Sequence, residues 1–161
     1  MKKAILYIFL FILLATSFCD RKETQKEDGE VLHVTDGDTF DCIYDGKEIT
    51  IRLYGIDAPE SGQPYGKEAE NWLQNQIGDK VVDIEKVEEG YYGRTIAIVE
   101  LNGTNINGAL VKNGLAWVSD RYCDRDSLCD RWRNYQQQAR ENDAGLWGEP
   151  NPTPPWEFRD Q

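Results

Sequence analysis

Two residues, Asp45-Gly46, constrain this chain more than any other feature. They separate Thr39–Tyr44 from Lys47–Tyr54, two runs rich in β-branched and aromatic residues. An Asp-Gly pair takes up the positive backbone angles of a two-residue hairpin turn at little steric cost, so the two runs are predicted to be antiparallel neighbours. Upstream, Val31–Thr35 reads as another strand, and Asp36-Gly37-Asp38 as the tight turn after it. A meander of these strands brings the Asp36–Asp38 turn and the far end of the third strand to one end of the sheet. At that far end lies Ile51-Arg52-Leu53-Tyr54-Gly55-Ile56-Asp57-Ala58-Pro59-Glu60. Gly55 lets the backbone bend, and Pro59 has no N–H to offer a ladder, so strand gives way to loop there. Arg52, Asp57 and Glu60 therefore sit where a rigid scaffold meets a loop, the usual position of binding and catalytic groups. Taken alone, the stretch also reads as an edge strand with a charged surface turn.

The rest of the chain supplies a small barrel and its helices. Tyr65–Ile77 is predicted as a helix with the stripe Ala69, Trp72, Leu73 and Ile77, stopped by Gly78. Lys80–Val87 and Arg94–Leu101 read as strands, with Gly90–Gly93 turning between them. Asn105–Asn113 is a short helix closed by Gly114, and Leu115–Val118 a short extended piece. A last helix runs from near Asp126 to about Asn142, with Leu128, Trp132, Tyr135 and Ala139 as its core-facing stripe. Five strands in meander or Greek-key order, with about three helices, fit an α+β, mainly β, fold: a closed barrel of the oligonucleotide/oligosaccharide-binding (OB) type.

The two ends differ from this body. Residues 1–19 carry Lys2 and Lys3 ahead of an apolar run, Ala4–Ala15, which is the pattern of a secretory signal and short for a membrane span. Cys19 at its end resembles a bacterial lipoprotein processing site, although Phe18 stands where such sites carry a small residue. Acylation of Cys19 and cleavage by an ordinary signal peptidase are both open, and either takes the protein out of the cytoplasm. Residues 20–29 hold no apolar side chain and read as a disordered tether. The domain is expected over 30–148, and 149–161 as a Pro-rich tail in which Trp156 and Phe158 could dock.

Export bears on the cysteines. Cys123 and Cys129 could pair in an oxidising compartment, and Cys42, in a strand pattern, reads as a small buried hydrophobe. The formal net charge is −11, and residues 1–19 contribute two lysines and no acid, so the remainder is more acidic still. Such a surface argues against nonspecific coating of nucleic acid, while leaving room for an enzyme that grips one or two phosphates. The single histidine, His33, lies in the first strand and reads as structural, which excludes histidine-based catalysis.

Six ordered stretches carry a family resemblance: Val34–Thr39, Ile51–Glu60, Tyr65–Ala69, Tyr92-Gly93-Arg94, Gly114-Leu115-Ala116 and Ala144–Trp147. Together they resemble the staphylococcal nuclease (thermonuclease) family over about residues 30–148. The resemblance implies that Asp38 and Asp57 bind Ca2+ with the backbone carbonyl of Ala58, Asp36 standing beside them without direct coordination. Hard oxygen donors with no His or Cys close by suit Ca2+ or Mg2+ rather than zinc. It further implies Glu60 as general base, and Arg52 and Arg94 as the arginines that hold the phosphate. Two guanidinium forks aimed at the equatorial oxygens would meet the charge that builds up as phosphorus becomes five-coordinate. Tyr92 matches a ligand-contacting tyrosine, and Tyr122 falls where the family can place a substrate-side tyrosine.

The chain departs from the family in two places. The Ser61–Pro64 loop is short and lacks lysine, and Gly90-Tyr91 replaces an acidic-basic pair. The expectation is an exported, lipid-anchored or secreted monomer that uses Ca2+ to hydrolyse DNA and RNA to 3'-phosphate products. The alternatives are a non-catalytic binding module on the same barrel, and a surface adhesin. Retention of every acid and arginine favours the enzyme.

Overall fold

The computed structural model describes residues 26–160. Its centre is a closed barrel of β1 (Lys26–Val34), β2 (Thr39–Tyr44), β3 (Lys47–Leu53), β5 (Val81–Glu89) and β6 (Thr95–Leu101). The strand order is β3-β2-β1-β5-β6, and a parallel β3–β6 pairing closes the ring. This is the α+β, OB-type fold read from the sequence. Asp45 and Gly46 both take positive φ, 49° and 70°, as the two-residue turn requires. The β2–β3 register then runs without interruption from Tyr44↔Lys47 to Thr39↔Arg52.

β1 begins at Lys26, inside the stretch expected to be tether. Lys26–Glu30 pairs antiparallel with β5, from Lys26↔Glu85 to Glu30↔Val81. The correction has a tertiary cause. The polar residues have no apolar pattern of their own, yet β5 offers them a ladder, and Lys26 Nζ reaches Glu100 at 2.6 Å. The signal and Cys19 lie outside the described residues.

Outside the barrel, β4 (Ile56–Asp57) pairs with β8 (Trp117–Val118), and β7 (Thr104–Asn105) extends the sheet beside β6. Helix α1 (Gly66–Ile77) buries Ala69, Leu73 and Ile77, and α2 (Ile106–Lys112) buries Ile106, Leu110 and Val111. Helix α3 (Asp126–Glu141) buries Cys129, Trp132 and Ala139, leaving Leu128 and Tyr135 half-buried at the edge of its stripe. A fourth helix, α4 (Pro155–Phe158), lies in the segment expected to be a tail.

Two side chains tie these layers to the strand that carries the charged stretch. Asn107 is wholly buried; its Oδ1 accepts the Val99 N–H, and its Nδ2 donates to the carbonyls of Tyr54 and Ala97. The Tyr54 hydroxyl donates to Asp124 Oδ1 at 2.6 Å and accepts the N–H groups of Asp124 and Arg125. A disulfide joins Cys123 to Cys129 just beyond that contact. Cys42 is free and buried, as its strand position suggested.

Candidate active site

The meander delivers its charged residues to one place. The Asp36–Asp38 turn is closed by the Thr35 and Asp36 N–H groups on the Thr39 carbonyl, and by the Asp38 N–H on Asp36 Oδ1 at 2.9 Å. Gly37 lies against α1 so closely that a Cβ there would stand 2.6 Å from the Ala69 Cβ and 2.7 Å from the Ala58 Cβ. That contact seats the turn beside the Ala58 loop. Gly55 bends the chain out of β3 at φ 68°, and β4 then carries Asp57 back across Trp117.

Asp38 and Asp57 are buried, at 1% and 5% exposure. Buried carboxylates need partners, and these have them. Asp38 Oδ2 accepts the Ala58 N–H at 2.7 Å, and Oδ1 accepts the Thr39 hydroxyl at 3.2 Å. Arg52 reaches from β3 and bridges the pair, with Nη1 on Asp38 Oδ1 and Nη2 on Asp57 Oδ1 at 2.7 Å. Asp36 is half-buried; desolvation pushes its carboxyl above the ordinary range, opposed by the positive charge of Arg52, the Thr39 hydrogen bonds and the charge of Arg94.

Glu60 lies on the loop beyond Pro59, with its N–H donated to Gln63 Oε1 at 3.0 Å. Arg94 follows a tight 3-10 turn over Tyr91–Gly93, and its Nε donates to the Tyr91 carbonyl at 3.4 Å. Among the described residues Arg94 has no ion-pair partner. All these groups face one open cleft of about 1360 Å³.

Of the two tyrosines expected at the site, Tyr122 lines the cleft and Tyr92 does not. Tyr122, 55% exposed, lines the cleft, with the Arg121 guanidinium 5.3 Å from its ring centre. Tyr92 is 98% exposed at φ 61° and is not part of the wall, whereas Tyr91 is. In a tight turn with two successive positive φ angles, at Tyr92 and Gly93, neighbouring side chains diverge, and sequence position alone does not say which lines the cleft.

Three arginines on the wall were not read from the sequence: Arg121, Arg125 and Arg159. Arg125 pairs with Glu85 and stands 5.6 Å over the Tyr54 ring. Arg159, just beyond α4, enters from the far end of the chain. Its Nη2 donates to Asp57 Oδ2 at 2.8 Å, and its Nη1 to Glu60 Oε1 at 2.5 Å and Asp57 Oδ1 at 3.3 Å. These hydrogen bonds, Asp57 first, raise the pKa of an already strong base. Five arginines and no lysine line the cleft, so its cationic face is made of planar forks suited to phosphate oxygens. Three of the five, Arg52, Arg125 and Arg159, are paired with carboxylates.

No His or Cys lines the cleft. Among the described residues no three acid, His or Cys side chains cluster tightly enough to form a metal cage by themselves. Two buried carboxylates beside a backbone turn instead fit a hard divalent cation that keeps several waters. Chemically, the arrangement can hold such a cation, grip an anion by guanidinium forks, and place one carboxylate, Glu60, near the anion's edge.

Comparison with known proteins agrees with this chemistry. The family described as "Staphylococcal nuclease homologue" matches residues 50–149. The chain is 36% identical over 140 residues to a protein named micrococcal nuclease from Shigella flexneri, covering 81% of this chain and 79% of the other. It is 34% identical over 161 residues to an uncharacterized endonuclease of Haemophilus influenzae, covering 99% and 86%. It is 40% identical over 113 residues to the staphylococcal-like nuclease CAN1 of Arabidopsis thaliana, covering 70% of this chain and 34% of that longer protein. Barrel, cleft and kinship together define an enzyme, a hydrolase of the endonuclease class. More particularly, the chain belongs to the staphylococcal nuclease family.

Proposed function

We propose that this enzyme is an exported, monomeric, Ca2+-dependent nuclease that cleaves phosphodiesters of DNA and RNA to 3'-phosphate products. The observation that carries the reading is the Arg52 bridge between two buried carboxylates, with Glu60 and Arg94 on the same cleft, Arg94 having no ion-pair partner among the described residues. Asp38, Asp57 and the Ala58 carbonyl would hold the cation. When bound, Ca2+ supplies positive charge to a phosphate oxygen. Arg52 and Arg94 grip the phosphate and neutralise the equatorial oxygens as negative charge grows on them. Glu60 accepts the proton of the attacking water; a carboxylate is a weak base, so positioning supplies much of the rate. Tyr122, and Tyr91 in place of Tyr92, offer faces on which a splayed base can stack, favouring single-stranded substrate. The Cys123–Cys129 disulfide supports export, because such bonds persist in oxidising compartments.

The test is cleavage of heat-denatured DNA by the full chain in Ca2+ and in EGTA. Cleavage is expected only with Ca2+, and Glu60→Gln should lower turnover by about 10² to 10⁴ while leaving Ca2+-dependent nucleotide binding near wild type. Unchanged turnover in Glu60→Gln removes that residue from the mechanism. Binding of single strands with no cleavage by the wild type would make the chain a binding module.

A further inference from the structure

Arg159 occupies the groups that the proposed reaction needs free. Both oxygens of Asp57 are taken, Oδ1 by Arg52 at 2.7 Å and Arg159 at 3.3 Å, Oδ2 by Arg159 at 2.8 Å. The same guanidinium holds Glu60 Oε1 at 2.5 Å. Arg52 differs from it in kind: it comes from the barrel, bridges Asp38 to Asp57 and does not engage Glu60.

Nor is Arg159 a stray surface side chain, because its segment is seated. Pro155, at the start of α4, is buried. The Trp156 ring meets Trp117 edge-on at 6.4 Å between centres, and Trp117 is the residue that pairs with Asp57 in the β4–β8 ladder. Gln63, 7% exposed, links the two partners: its Nε2 donates to the Thr153 carbonyl at 2.6 Å while its Oε1 accepts the Glu60 N–H. The segment and the Glu60 loop are thus fastened to one another beside the site.

We propose that Arg159 is a built-in competitor of the divalent cation: its docked segment closes the site, and cation binding at Asp57 expels it. The proposal rests on the Ca2+ reading given above. Its physical basis is exclusion. Arg159 takes up lone pairs on both Asp57 oxygens that a cation would use, and a dication seated there repels the guanidinium. With Arg159 in place, the Glu60 oxygen that it holds is not available to a water. A competitor of this kind weakens apparent cation affinity in proportion to the fraction of molecules in which it is docked.

The test is calorimetric titration of Ca2+ into the full chain, wild type against Arg159→Gln, with Arg121→Gln as the control. Arg121 lines the same cleft without an ion pair to Asp57 or Glu60, so its loss removes equal charge without removing the competitor. Arg159→Gln should bind Ca2+ more tightly by about threefold or more, and by clearly more than Arg121→Gln. In the wild type, Ca2+ should also raise amide hydrogen exchange across residues 150–158. Equal or weaker binding by Arg159→Gln, or equal tightening by Arg121→Gln, overturns the competitor; if cleavage still needs Ca2+, the nuclease reading stands. Absence of Ca2+ binding in every variant overturns both.

Discussion

Cys42 shows how much a single buried atom can report. It is fully enclosed in the barrel, and burial, reinforced by Asp41, pushes its thiol from 9.0 up to about 11. The folded protein therefore keeps a proton that the unfolded chain gives up between those values. Stability from this source is present below pH 9 and is lost as pH rises toward 11. The difference corresponds to about 2–3 kcal/mol. Urea unfolding at pH 8 and pH 10.5 should show a steeper alkaline loss in wild type than in Cys42→Ala; parallel losses would mean the thiol ionises freely in the fold. The burial of Cys42 was readable from its alternation with Phe40. The role of Arg159 was not, because its partners lie about a hundred positions away and an arginine in a Pro-rich run has no periodicity to interpret.

Among the elements, those fixed by local chemistry were the legible ones. The Asp45-Gly46 turn pins β2 and β3, and both were readable nearly to the residue. The N-terminal half of β1 and helix α4 depend on partners distant in sequence, so tether and tail were the natural expectations. The turn carrying Asp38 is a local motif whose tightness is tertiary. Gly37 is required there by the approach of Ala58 and Ala69, since its Cβ would fall under 3 Å from both methyl carbons. Gly37→Ala must push the turn off α1 or away from the Ala58 loop, at a cost of about 1–3 kcal/mol. Because Asp38 holds the Ala58 N–H, the displacement also spreads the two acids, and turnover should fall by about tenfold or more. Denaturant midpoints and single-turnover cleavage check the two effects separately. Wild-type turnover in a destabilised Gly37→Ala protein would mean that the turn's position does not govern the site.

At the scale of the whole molecule, an acidic chain of net charge −11 concentrates guanidinium forks in a single cleft. Grip on phosphate is then local, and the acidic remainder discourages indiscriminate coating of nucleic acid. We propose that Cys19, which lies with the signal pattern outside the described residues, carries a lipid anchor. Growth with labelled palmitate should mark the wild type and leave Cys19→Ala unmarked; no label on either would make the protein freely secreted. The packing of the indoles has one more consequence. Trp147, Trp117 and Trp156 meet edge-on in sequence, with ring centres 5.2 and 6.4 Å apart. Rings that close, held at fixed angles, act as coupled chromophores, and Trp117 belongs both to the ladder beside Asp57 and to the seat of α4. The near-ultraviolet circular dichroism of this protein is thereby an intrinsic optical gauge: undocking the segment uncouples one ring pair and leaves the other, with no label introduced.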